Sequence, residues 1–429
     1  MDSSLFIDYV QRFMPRLDNV IEKYNGRRTP PTYLHKERLR TEYSVDQKWE
    51  SASVNTSYVS ADIVAMDSPL PLKMRNTLHT SSGKLPKVGL KKLLKESEIN
   101  AINIMIAQGQ NYENVVRRLI NDAVSCSVAI DEANEKNFLT GLSNGLVAVP
   151  DADSANEALR LSFNYLPENS FTVETKGTLE LSDIKRVLDK ADTDGNTITE
   201  IWLAKSTYDA LRQTRAAREL VATYNGQSFT DQTTLPVPTA GKFDEAFADD
   251  TNGVQFVKVD RTVIGEKNGK RTPDKPWNKD KVIFTIGGEL GALVWSDLAE
   301  KTNPSEKVSY TTIDQYKLIS KYSETDPLME VTSGQALVLP VIENVDQIYS
   351  LDIANAEEVD TTAEAADTSD TYVTVWGNKY TKASFITAMK SMGISISANA
   401  SDETVIKKVN ALSTEEAEAL KTAVASYKA

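Results

Sequence analysis

Residues Asn111 to Gly145 read NYENVVRRLINDAVSCSVAIDEANEKNFLTGLSNG. Val115, Val116, Leu119, Ile120, Ala123, Val124, Ile130, Ala133 and Phe138 recur at helical spacing, Asn111 supplies an N-cap, and Gly141 and Gly145 end the run. A helix of roughly 30 residues is about 45 Å long, well above the usual length in globular domains. Arg117, Arg118, Asp122, Asp131, Glu132 and Glu135 fall mainly off the apolar stripe, and the a/d heptad pattern does not persist, which argues against a coiled coil. The run predicts a spine crossing the face of a sheet, and so a fold of mixed α+β type.

Downstream of the spine, Ala158–Tyr165 and Phe171–Thr175 alternate like strands, a helix follows over about Leu181 to Ala191, and Ile198–Ala204 reads as a strand. Ser206 and Asp209 form a capping-box-like start to a helix running through Leu211, Leu220 and Val221. Upstream, the first ninety or so residues behave as an arm made to lie on other molecules. Leu5, Phe6, Val10, Phe13, Leu17, Ile21 and Tyr24 mark one helical face with Pro15 inside it. Beyond Gly26 come Pro30, Pro31, Pro69, Pro71 and Pro86, the extended run Tyr58–Val64 and the turn-prone Thr80–Gly83. An extended stretch of ~25 residues reaches about 80 Å, farther than the radius of such a domain. The alternative is a segment folded back over its own chain.

With 429 residues, 40% of them hydrophobic, the chain can bury one large or two modest cores. It has no run of 18 apolar residues and no N-terminal signal pattern, so we expect a protein made in the cytoplasm, without a membrane partner. A formal charge of −13 argues against a nucleic-acid binder as a whole, since such affinity comes from Lys and Arg on phosphates. Between Lys321 and Lys379 there is no Lys or Arg, and residues 356–371 are acidic with almost no bulky apolar group, which reads as a linker. After it, Thr381, Ser401 and Ser413 resemble N-caps, and Phe385, Ile386, Met389, Ile394, Val405, Ile406, Val409, Leu412, Leu420 and Val424 suit a tiny three-helix core.

No catalytic, cofactor or metal residue is nominated. Cys126 is the only cysteine and sits on the apolar face of the spine, as a buried and inert thiol does. His35 and His79, the only histidines, lack a second ligand at metal spacing. Asp192-Thr-Asp194-Gly195-Asn196 fails as a calcium loop, because Lys190 and Ile201 would stand where carboxylates are needed. Gly287-Gly288-Glu-Leu-Gly291 matches neither a dinucleotide fingerprint nor a phosphate loop. Lys267, Lys270, Arg271, Lys275, Lys279 and Lys281 form a basic loop, either solvated or facing an acidic neighbour. No Ser-His-Asp arrangement or acid/base pair stands out.

The segment Ile319–Tyr349 resembles the ending of lambda-type tailed-phage major capsid proteins, through Asp326-Pro327, the apolar Ala336–Ile342 and the closing Asn344–Leu351. Ile201–Arg212 looks like that family's axial domain, and Lys281–Trp295 like its later strand and turn, so the order of parts agrees along about 350 residues. The resemblance implies the Hong Kong-97-type shell fold. On that plan 1–50 is an N-terminal arm, 51–95 an extended loop, 96–197 a peripheral domain with the spine, and 198–295 an axial domain. The closing strands take 296–355, the acidic linker 356–371, and a small all-α module 372–429. The implied function is the icosahedral head of a bacteriophage: hexamers and pentamers of one chain enclosing DNA without sequence-specific contacts. A separate scaffolding protein and a portal are the implied partners, the host cytoplasm the place of assembly and the virion the final location. A cellular nanocompartment shell and a carboxylate-dependent enzyme with a C-terminal binding module are the alternatives. Removal of Met1–Glu50 is expected to abolish assembly and leave the fold largely intact.

Overall fold

The computed structural model describes residues 3–13, 32–54, 78–108, 112–150, 157–163, 165–226, 235–267, 269–356, 372–376, 378–391, 402–410, 412, 417–418, 420–421 and 424. Pro15, Leu17, Ile21, Tyr24, Pro30, Pro31, the run 58–64, Pro69, Pro71, Asn111, residues 357–371, Ile394, Ser401 and Ser413 lie outside them. The chain divides into two compact units, Met1–Glu357 and Glu358–Ala429.

The larger unit is built on two sheets. The first has six strands: β1 (Leu39–Tyr43), β13 (Gly291–Ser296), β16 (Leu328–Ile342), β15 (Lys317–Thr325) and β14 (Ser309–Ile313) in that order, with β4 (Lys87–Lys95) also on β16. β15 and β16 form a hairpin whose turn is Asp326-Pro327, joined by a cis peptide bond. β16 has 15 residues because it has partners along its whole length: β15 and then β13 on one side, β4 on the other.

Across this sheet lies α4 (Tyr112–Asn144), the expected spine, 33 residues and about 50 Å long. Leu119, Ala123, Cys126, Ile130, Phe138 and Leu142 are buried along it. Gly334 of β16 admits the close approach, since a Cβ there would stand 2.7 Å from Cys126 Cβ. The helix ends at Gly145, whose φ of 65° is the left-handed conformation glycine adopts freely. Gly141 does not end it; a Cβ at that position would meet Phe163 at 2.7 Å, so glycine there is a packing requirement.

The second sheet runs β7 (Ser170–Val173), β17 (Tyr349–Ala356), β12 (Lys281–Thr285), β8 (Glu200–Ala204), β9 (Gln255–Val259), with parallel pairs at both edges and antiparallel pairs between. Strand alternation sends Ile201 and Leu203 to a core covered by α5 (Leu181–Thr193), α6 (Lys205–Leu211), α7 (Arg215–Tyr224) and α8 (Ala240–Asp250). Trp202 and Ile283 point the other way, into the core shared with the spine, where Phe138 meets the Trp202 ring edge-on at 6.3 Å. β7 and α5 thus belong to this layer although they precede residue 198.

Two local expectations are corrected, and a third is filled in. Ser206 does not cap a helix: α6 starts after Ala204 without a side-chain cap, and α7 is a separate helix capped by Thr214, which accepts from the Ala217 amide. Thr80–Gly83 is not a turn but part of β3 (Leu78–Lys84), paired with β2 (Lys48–Val54). The Trp49 indole packs over Gly83, where a Cβ would come within 2.8 Å, and this cross-strand pairing overrides local turn preference. The basic loop contains a hairpin, β10 (Val263–Lys267) with β11 (Lys270–Asp274), and meets acids of its own chain: Arg271 pairs with Glu266, Lys275 with Asp260 and Lys281 with Asp352.

In the smaller unit, a hairpin of β18 (Tyr372–Val375) and β19 (Asn378–Thr381) precedes α10 (Lys382–Ser391) and α11 (Asp402–Asn410), so the unit is not purely helical. Val375 and Tyr380 of the hairpin fill a core with Phe385, Met389, Val405, Val409, Leu420 and Val424. Ile406, expected in that core, is exposed, because Val405 and Val409 occupy the buried face of α11 and position 406 lies about 100° round from 405.

Candidate functional site

The most elaborate polar constellation among the described residues is a latch that holds the N-terminal segment on the spine. Asp131 and Glu135, expected mainly off the apolar stripe, are buried on it. Glu135 accepts from the Leu34 amide at 3.1 Å and the His35 amide at 3.0 Å, at the start of α2 (Leu34–Arg38), and its Oε2 stands 2.7 Å from His35 Nδ1. His35 is fully buried. One carboxylate thus satisfies two helix-start amides and an imidazole, where the helix dipole also favours negative charge.

One turn earlier on the spine, Asp131 and the loop residue Asp314 sit between two lysines. Lys317 Nζ lies 2.7 Å from Asp131 and 2.6 Å from Asp314, while Lys36 Nζ lies 3.1 Å and 3.2 Å from the same two acids. Burial works against the charged form of Lys36, but Asp131 and Asp314 prevail and raise its pKa. Burial likewise opposes ionisation of Asp314, and Lys317 and Lys36 outweigh it, lowering the pKa. Tyr33 Oη donates to Glu132 at 3.0 Å beneath the Arg261 guanidinium; burial and then the Glu132 and Asp131 charges push its pKa up. The segment continues as Arg38, paired with Glu200 at 2.9 Å, and Arg40, which forks onto Glu343 at 2.7 and 2.9 Å. β1 then pairs parallel with β13.

A second anchor holds the first residues. Phe6, just before α1 (Ile7–Phe13), and Val10 within it are buried against Ile99, Ile102, Leu119, Ala123 and Ile319. The Leu5 amide donates to Glu330 at 3.0 Å, Ser4 Oγ donates to the same carboxylate, and Ser323 Oγ donates to the Ser3 carbonyl at 2.6 Å. Beneath them Lys321, fully buried, donates to Thr332 Oγ1 at 3.0 Å. Burial lowers the Lys321 pKa and raises that of Glu330. Cys126 nearby is buried as expected, its pKa pushed up to about 12 by burial. Residues 3–13 and 32–43 therefore lie back over their own chain.

These groups hold and orient. No group of three His, Cys, Asp or Glu with metal-binding geometry occurs among the described residues. No described helix is long and apolar enough to cross a membrane. The latch escaped the sequence reading, although a signal was present: Asp131 lies seven residues after Val124 and Glu135 seven before Leu142, which puts both carboxylates on the buried face. A buried carboxylate demands cationic or amide partners, and the run Tyr33-Leu-His-Lys-Glu-Arg38 supplies them.

No protein-family model and no curated protein matches the chain. Among solved structures it is similar to a protein of an E. coli CFT073 prophage described as its capsid protein, with 11% identity over 65% of this chain and 80% of that one and a TM-score of 0.43. The capsid of cyanophage A-1(L) shows 12% identity, 74% and 92% coverage and a TM-score of 0.40. The SrpI encapsulin of Synechococcus elongatus PCC 7942 shows 12%, 77% and 89%, and 0.36. No residue's role carries over from any of them. The mixed α+β class expected from the sequence, with a long spine helix across a sheet, is the class observed.

Proposed function

We propose that this chain is a structural shell subunit, the major capsid protein of a tailed bacteriophage, whose hexamers and pentamers close into an icosahedral head around double-stranded DNA. The observation that carries the reading is the ribbon β2–β3. Its seven residue pairs form a sheet of their own, and Trp49 packs at its base. An isolated two-stranded ribbon is marginal in water and needs a further strand or a packing surface. A neighbouring copy supplies that surface in a shell, where many modest contacts per subunit accumulate. The latch fits this role, since the base from which the ribbon departs is tied to the spine.

On this reading the extended loop takes in β2 and β3, the peripheral domain the spine with the six-stranded sheet, and the axial domain the five-stranded sheet with α5 to α8. That assignment moves the start of the axial domain from 198 back to about 170. The smaller unit, 372–429, decorates the shell or contacts a neighbouring capsomer. A separate scaffolding protein and a portal complete assembly in the host cytoplasm, the mature protein resides in the virion, and no catalysis is involved. The test is electron microscopy of the purified full-length chain, alone and with a candidate scaffold. Rings or icosahedral particles are expected; uniform monomers under both conditions overturn the proposal, and shells formed around a protein cargo instead of DNA favour a nanocompartment.

A further inference from the structure

The face of the six-stranded sheet opposite the spine carries a concentration of positive charge that neither anchor uses. β4 alternates strictly, and Lys87, Lys91 and Lys95 stand on its outward face, with Lys84 at the end of β3 just before them; all four are exposed. None of them has an ion-pair partner among the described residues. Elsewhere the described lysines of this chain, whose net charge is −13, commonly have acidic neighbours, as in Lys242–Glu245 and Lys258–Asp244. Among the described strands β4 pairs only with β16. Lysine on an edge strand ordinarily discourages strand addition. Here Lys87 and Lys91 also form one wall of a groove of about 640 Å³. Ser320, Ser333 and Tyr322 line it too, and Glu300, held by the Gln335 amide at 2.6 Å, faces it.

We infer that this groove receives an extended acidic segment from a second copy of the chain, residues 356–371. The chemistry matches on each wall. The tract carries Glu357, Glu358, Asp360, Glu364, Asp367 and Asp370 and no Lys or Arg, so its carboxylates face the lysines. Its backbone N–H groups find an acceptor in Glu300. Lys87 to Lys95 spans about 26 Å of strand, and sixteen extended residues reach up to about 53 Å, enough to run the length of the basic row. Glu300 repels phosphate and the tract's carboxylates alike, so what sets the peptide apart from a nucleic acid is its backbone N–H donors, which a duplex backbone lacks.

The inference rests on the self-association proposed above, and the experiment separates the two. Sedimentation velocity of the full-length chain at low and high salt reads association, and far-UV circular dichroism checks folding of each variant. Lys87→Glu with Lys91→Glu is expected to weaken association at least tenfold at low salt, as is Glu364→Lys with Asp367→Lys, and the two pairs combined restore it. A wild-type chain that never associates, alone or with the candidate scaffold, overturns both readings. Association that survives the lysine substitutions overturns the docking inference alone. It is equally overturned if the lysine pair weakens association while the Glu364 and Asp367 pair does not, or if a short DNA duplex binds the wild type and is lost in the lysine variant.

Discussion

Replacing Glu135 with alanine tests whether the latch holds the N-terminal segment. The substitution removes the acceptor of the Leu34 and His35 amides and the partner of a fully buried imidazole. Removing one member of a buried pair costs about 3–5 kcal/mol, because the other is left without compensation. For a unit spanning Met1–Glu357, an unfolding entropy of about 2.1 cal/mol/K per residue gives about 0.75 kcal/mol/K, or about 1.3 °C per kcal/mol. Glu135→Ala should therefore lower the melting temperature by about 4–7 °C. Lys136→Ala, at the next position on the spine, is the control: Lys136 and its partner Asp274 are 46% and 48% exposed, so the loss should be about 1 kcal/mol or less, near 1 °C. Hydrogen exchange gives the specific signature. The Leu34 and His35 amides should lose protection in Glu135→Ala while the spine keeps its own. A Glu135→Ala variant that melts within a degree of wild type with 32–43 equally protected would refute the assignment.

Three further outcomes follow from the same geometry. Gly334→Ala places a methyl group 2.7 Å from Cys126 Cβ and forces the spine off the sheet; a loss of about 1–3 kcal/mol by chemical denaturation is expected, and an unchanged midpoint would contradict the contact. Glu330 has a folded pKa raised above 4.5 by burial, so its ionisation weighs against folding above that pKa, and the penalty is absent below 4.5. Glu330→Gln should thus gain stability relative to wild type as pH rises from about 4.5 to neutrality, and a stability difference that does not change with pH would remove the burial argument. Deleting Met1–Glu50 removes Phe6, Val10, His35, Leu39 and Trp49 from the cores of the same chain; the truncated protein should lose cooperative melting as well as assembly, contrary to the expectation that its circular dichroism stays intact. A truncated chain with wild-type melting would show that these contacts are dispensable.

Periodicity made the spine legible from residues alone. Where its side chains are described, the buried stripe follows the expected one at Leu119, Ala123, Val124, Ile130 and Phe138, because helix geometry is local: residues three and four apart share a face wherever the helix lies. The same holds for α5 and for the strands around Ile201 and Ile283, whose alternation has period two. Cys126 was legible for the same reason. What sequence could not supply was the partner. Glu135 meets His35 across 100 positions and Glu330 meets Ser4 across 326, and no local preference encodes such a pairing. The spine's carboxylates read as a solvated face until α2 covers them. Thr80–Gly83 reads as a turn until Trp49 lies across it. The prolines and scattered apolar groups near the N-terminus were compatible with an arm lying on neighbours or one folded back over its own chain, and residues 3–13 and 32–43 are bound at the two anchors. Local geometry set which elements form, and tertiary packing decided which charges are buried and what holds them, because the cost of burying a charge depends on neighbours that only the folded chain brings together.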